Sequence, residues 1–161
     1  MPLALAEFNT ADAADVRPAL TACLAVPRWV DAVLAGRPYA DFDALLTAAE
    51  KATPLHRDEV SAAIAAHPRI GEKPTSTGAD AEWSRSEQSG VDNAGEFAAA
   101  NAEYEARFGH VFLVCAGGRS GAELLANLRS RLGNDPETEL DVAGAELAKI
   151  AALRLRKAID A

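Results

Sequence analysis

Strand-like alternation of hydrophobic and polar positions never persists beyond a few residues of this chain. Val and Ile are scattered, and Ala, the best helix former, is everywhere. The pattern predicts helices, and Pro, Gly and Asp punctuate them. Asp15 caps a short helix that carries Pro18 in its first turn and runs to about Leu24. Pro27 suits the first turn of the next, VPRWVDAVLAG, with Gly36 as its stop. Asp41 starts DFDALLTAAEKA, with Phe42, Leu45 and Leu46 on one face. HRDEVSAAIAA (56–66) forms another helix, which Pro68 ends. Residues 68–79 hold two Pro and two Gly and read as a loop. A helix follows over roughly 84–89. A longer one, 92–108, carries Phe97, Tyr104 and Phe108 and stops at Gly109.

HVFLVC (110–115) is the one extended piece that the pattern supports. Ser120 then opens a helix with Glu123 three residues on, a capping-box pattern, and that helix ends at Gly133. Asp135-Pro136 begins the last helix, which runs to about 159. At ~1.5 Å per residue it is roughly 35 Å long, enough to brace the whole molecule. Its expected core face is Leu140, Leu147, Ile150, Leu153 and Leu155. No repeat, linker or second domain is evident. The expected fold is all-α, a single compact multi-helix domain over residues 1–161.

Composition narrows the partners. The chain has 161 residues, 49% of them hydrophobic, which is ample for a core. The net charge is −8 with no Lys/Arg block, which argues against nucleic acid and against an anionic membrane surface. No apolar run approaches the ~20 residues that span a bilayer. MPLALAEF lacks the basic segment of a signal peptide, and the final IDA is no peroxisomal address. Cys23 and Cys115 are far apart and belong to no pairing motif, as in a reducing compartment. A soluble cytoplasmic protein is expected.

Several chemistries lack their signatures. There is no HExxH, and the His residues stand apart at 56, 67 and 110, so no metal is expected. Neither GxGxxG nor GxxxxGK[ST] occurs. GGRSGAE (117–123) is not GxSxG, and Ser120 reads as a helix N-cap.

What remains is a set of polar residues with two readings each. His67 in HPRIGEKP either closes a helix, where its charge suits the dipole, or faces a pocket as a proton-transfer group. Ser84 and Glu87 in SRSEQSG match a capping box. Yet Gln88 follows, and Ser86 and Ser89 flank the pair, which is more than a cap requires. A carboxylate, an amide and hydroxyls there could hold a small polar ring rich in N–H and C=O groups. Arg154 and Arg156 fall on different faces of the last helix. Arg154 either solvates the surface or points inward and grips a carboxylate with its fork of donors. HVFLVCAGG is either a buried strip between helices or a segment whose free backbone groups bind a ligand, with Gly117 and Gly118 allowing close approach.

In their order along the chain these segments resemble the 2-oxo-4-hydroxy-4-carboxy-5-ureidoimidazoline (OHCU) decarboxylases of urate breakdown. The resemblance rests on HPRIGEK (67–73), SRSEQ (84–88), Tyr104 to Phe108-Gly109, FLVCAGGRS (112–120), LRSRLGND (128–135) and ELAKIAALRL (146–155). It covers nearly the whole chain. It implies an all-α fold, a homodimer, no metal or organic cofactor, and conversion of a ureidoimidazoline carboxylate to S-(+)-allantoin with loss of CO2. It also implies that His67 is the catalytic acid/base and that Glu87 contacts substrate and shares in catalysis. Pro68, Ser84 and Gln88 would contact substrate. The backbone of Val114, Cys115, Ala116, Gly117 and Gly118 would bind it, and Arg154 would anchor a carboxylate or ureido group. The chain departs from the family pattern at Ser89-Gly90, Val111 and Gly117-Gly118, which bears on pocket width. The rival expectations are another cofactor-free hydrolase or isomerase of a ureido compound, and a non-catalytic helical adaptor.

Overall fold

The computed structural model describes residues 2–66, 94–115 and 119–160. Eight helices lie among them: α1 (Leu5–Thr10), α2 (Ala13–Cys23), α3 (Pro27–Ala35), α4 (Phe42–Lys51), α5 (Arg57–Ile64), α6 (Ala94–Phe108), α7 (Gly121–Arg131) and α8 (Pro136–Ala158). The loop expected over 68–79 and the helix expected over 84–89 lie outside the described residues.

Most helix ends follow from local chemistry. Asp41 accepts from the Ala44 N–H at 2.8 Å, and Ser120 accepts from the Glu123 N–H at 3.2 Å. Asp135 accepts from the Thr138 N–H at 3.4 Å while Pro136 takes the first helical position. Helix α6 stops at Gly109, whose φ of +80° is open to glycine at little cost, and whose N–H closes on the Glu105 carbonyl at 2.8 Å.

One helix start is corrected, and two features are added to the sequence reading, α1 and a short strand pair. Helix α2 starts at Ala13, so Asp15 lies in its first turn rather than at its cap and Pro18 lies inside it. Ala13 and Ala14 extend the helix upstream, and Asp15 favours the positive end of the dipole. Helix α1 has no counterpart in the sequence reading. No side chain caps it; instead Arg37 Nη1 donates to the Phe8 and Ala11 carbonyls at 2.8 and 2.7 Å, and Phe8 is buried. The segment 111–115 belongs to no sheet. The two strands among the described residues are β1 (Leu3–Ala4) and β2 (Ile159–Asp160), paired in parallel with Leu3 opposite Ile159. Two residues each are too few to leave a periodic signal.

Two apolar clusters form the interior. The larger gathers α1 to α5 around α8 and includes Phe8, Trp29, Leu45, Ile64, Leu147 and Leu155. Trp29 also donates its indole N–H to the Ala49 carbonyl at 3.0 Å, so the ring is satisfied in the core. The smaller cluster, with Phe97, Tyr104, Phe112, Leu124 and Leu128, lies between α6 and α7.

The 111–115 strip separates them. Phe112 and Val114 pack into the smaller cluster. Val111, Leu113 and Cys115 pack against the larger. This is the period of two that a strand shows, with no partner strand among the described residues.

Candidate active site

Helix α8 buries Glu139, Ala143, Glu146, Leu147, Ile150, Ala151, Arg154 and Leu155. The expected face is therefore turned by about one residue: Leu140 and Leu153 are only half-buried. Glu139 and Arg154 take inward positions instead. The three inward charges stand roughly two turns apart, or about 10–12 Å along the axis. Buried charges are costly unless paired, so each one's partners define what the helix holds.

Glu139 anchors the smaller cluster. Its Oε1 accepts from Tyr104 Oη at 2.6 Å and from Arg131 Nε at 2.7 Å, and its Oε2 accepts from Asn134 Nδ2 at 3.0 Å. Arg131 Nη2 is also ion-paired with it. Burial, reinforced by the hydrogen bond to the Glu139 carboxylate, pushes the Tyr104 hydroxyl well above the usual phenol range. Arg131 lies over the Phe112 ring, 4.6 Å from its centroid, and its Nη1 donates to the Leu113 carbonyl at 2.6 Å.

Glu146 takes hold of the same strip further on. Its Oε1 accepts from the Cys115 N–H at 3.3 Å and lies 3.7 Å from Arg119 Nη1. Its Oε2 is 2.7 Å from Lys149 Nζ. The strip's side chains are spent on packing, with Val114 buried among Phe112 and Leu124.

Arg154 is 3% exposed and points inward, while Arg156 is exposed on the other face. Arg154 Nη1 donates to the Ala22 carbonyl at 2.9 Å. Burial pushes the neighbouring Cys23 thiol up to about 12, with the Arg154 guanidinium pulling the other way.

The end of α5 stands between two clefts. Ala66 shares an open, largely apolar cleft of about 830 Å³ with Arg17, Pro18, Ala22 and Ala25. Ile64 and Ala65 line another of about 520 Å³ with Glu105, Phe108, His110 and Leu140. The residue before His67 thus lines the same cleft as Ala22, the residue whose carbonyl holds Arg154. His67, Pro68, Ser84, Glu87, Gln88, Ala116, Gly117 and Gly118 lie outside the described residues. Sequence reasoning did not single out Glu139, Glu146, Tyr104 or Arg131 as a polar scaffold. The signal was available: acids at 139 and 146 share a helical face with Ala143, Leu147 and Ile150.

A family model described as OHCU decarboxylase matches residues 9–156. The chain belongs to the OHCU decarboxylase family. Within that family, the 2-oxo-4-hydroxy-4-carboxy-5-ureidoimidazoline decarboxylase of Amia calva is 34% identical over 139 residues, covering 80% of this chain and 78% of that protein. The uric acid degradation bifunctional protein TTL of Arabidopsis thaliana is 41% identical over 103 residues, covering 59% of this chain. The match spans about a third of that protein's length, 32%. The crystal structure of an OHCU decarboxylase in the presence of (S)-allantoin superposes with a TM-score of 0.70 at 27% identity, covering 85% of this chain and 94% of the other. An (S)-allantoin synthase shares the fold, with a TM-score of 0.69 at 20% identity over 98% of this chain and 55% of that one. The all-α expectation agrees with these neighbours. Among the described residues no helix is long and apolar enough to cross a membrane.

Proposed function

We propose that the chain is a carboxy-lyase that converts 2-oxo-4-hydroxy-4-carboxy-5-ureidoimidazoline to S-(+)-allantoin and CO2. The observation that carries this reading is the family match over residues 9–156, which spans every motif from HPRIGEK to the Arg154 segment. The inward Arg154 beside the Ala66 and Ala22 cleft supports it.

The chemistry suits a chain without an electron-accepting group of its own. Loss of CO2 leaves an electron pair on the hydroxyl-bearing ring carbon. The adjacent ring C=N accepts that pair and its nitrogen takes up a proton, so the substrate is its own sink and no cofactor is required. The hydroxyl gives up its proton to become the product carbonyl. A proton delivered to the ureido-bearing carbon from one side sets the stereocentre. In this reading His67, oriented by Glu87, moves the proton, help worth ~10²–10⁴ in rate.

Pro68, Ser84, Gln88 and the backbone of 114–118 hold the ring and ureido group. Arg154 neutralises a negative group without clamping the departing carboxylate, since too firm a grip would stabilise the ground state. The reading extends to a homodimer located in the cytoplasm.

Product analysis tests the reaction class. Freshly generated substrate should yield CO2 in proportion to the protein added. Release of ammonia, or isomerisation without CO2, would assign the chain to hydrolysis or isomerisation of a ureido compound instead.

A further inference from the structure

The 111–115 strip alternates its side chains like a strand but, among the described residues, has no strand beside it. Buried backbone groups need partners, and here side chains of other elements supply them. Arg131 donates to the Leu113 carbonyl from α7, and Glu146 accepts from the Cys115 N–H from α8. Glu146 differs from Arg131 in one respect. The same Oε1 that takes the Cys115 N–H also lies 3.7 Å from Arg119 Nη1, so one carboxylate oxygen meets both the Cys115 amide and the Arg119 guanidinium. Glu146 is only 5% exposed, and burying an acid is a liability that a Leu at the same place would not carry. It also shares the inward face of α8 with Arg154, two turns away. The helix therefore spaces the residue that holds Cys115 about 12 Å along its axis from the residue that carries that guanidinium.

We propose that Glu146 is a positioning residue for substrate binding: it fixes the Cys115 amide at a set spacing along α8 from Arg154. The proposal rests on the decarboxylase reading above, in which the ring contacts the backbone that includes Cys115 while Arg154 holds the charged group. In that reading Glu146 itself touches neither the ring nor the charged group.

The experiment uses the full chain with Glu146→Ala, Glu146→Gln and, as a control for lost stability, Val60→Ala in the main core. Two quantities are read: amide hydrogen exchange at Cys115, and KM and kcat for the freshly generated substrate. In Glu146→Ala the Cys115 amide should exchange at least about tenfold faster. KM should rise at least about tenfold with kcat within about threefold, the mark of lost binding rather than lost chemistry. Glu146→Gln keeps an accepting oxygen and should bring both quantities back to within about threefold of the parent chain. Val60→Ala should lower the melting temperature and leave both unchanged. If Glu146→Ala does not fold, Glu146→Leu replaces it with the same expectations.

Unchanged exchange, or an unchanged KM in a parent chain that turns over, overturns the positioning role and leaves the decarboxylase reading standing. A rise in KM in Val60→Ala equal to that in Glu146→Ala overturns it too. A parent chain that releases no CO2 overturns both.

Discussion

Arg154 and Ala22 are 132 residues apart in sequence, yet Arg154 Nη1 donates to the Ala22 carbonyl at 2.9 Å. That carbonyl is one of the last four of α2, which lack partners within the helix, and a cation there also suits the dipole. The contact ties α8 to the end of α2 and fixes the guanidinium near the cleft beside Ala66.

Replacing Arg154 should therefore be felt twice. Arg154→Ala is expected to lose roughly 1.5–3 kcal/mol of stability, the usual worth of a hydrogen bond to a charged group. In the decarboxylase reading it also raises KM by about tenfold or more, or ~1.4 kcal/mol of binding. Arg154→Lys keeps the charge without the planar fork and should recover stability better than KM. Urea unfolding and saturation kinetics check the pair. Unchanged stability in Arg154→Ala would contradict the tie to α2.

Cys23 gives a pH dependence of defined sign. Burial pushes its folded thiol up to about 12, from an ordinary value of 9.0. Above pH 9 the unfolded chain ionises this thiol while the folded chain keeps it protonated. Stability should then fall as pH rises from about 9 towards about 12. Tyr104 is shifted in the same direction by burial. The check is a comparison of slopes: Cys23→Ala, whatever its stability at pH 7, should lose stability less steeply between pH ~9 and ~10.5 than the parent. Parallel slopes would contradict it.

The Glu139 cluster should behave as a coupled unit. Tyr104→Phe removes one donor to the carboxylate and should cost about 1.5–3 kcal/mol. Glu139→Leu leaves Arg131 buried without its carboxylate and should cost about 3–5 kcal/mol. Adding Arg131→Met to Glu139→Leu should recover part of that loss, because the stranded charge is gone. Recovery should be incomplete, since the Leu113 carbonyl then loses its donor. Chemical denaturation of the single and double variants measures the coupling. Strict additivity of the two substitutions would contradict the unit.

Helix boundaries were legible wherever a side chain sets them locally. Asp41, Ser120, Asp135-Pro136 and Gly109 each stand where the sequence places them. Helix α1 was not legible because Arg37, far along the chain, satisfies its carbonyls. The inward face of α8 was read about one residue off. Apolar spacing favoured Leu140 and Leu153, whereas Glu139 and Arg154 are drawn in by Tyr104, Arg131 and the Ala22 carbonyl. Such partners come from other elements and leave no mark in the local period. Arg154 was named from the sequence with surface and inward readings both open, and it points inward. Glu146 was not named, because an acid on a long helix reads as solvated until the strip it holds is seen.

In the proposed reading the proton-transfer roles fall to His67 and Glu87. His67→Ala and His67→Asn should fold normally and lose most stereoselective turnover. Glu87→Gln separates a role in turnover from one in capping. A variant that loses stability but keeps its turnover per folded molecule would make Glu87 a helix cap alone. Circular dichroism for folding and chiral analysis of product check both.

The most direct measurement is to generate the unstable ureidoimidazoline carboxylate freshly, add the protein, and follow the optical activity of the allantoin formed. The account predicts a rapid signal of the S-(+) product that scales with protein and is largely lost in His67→Ala. Allantoin forming at the buffer rate, without optical activity, would contradict it.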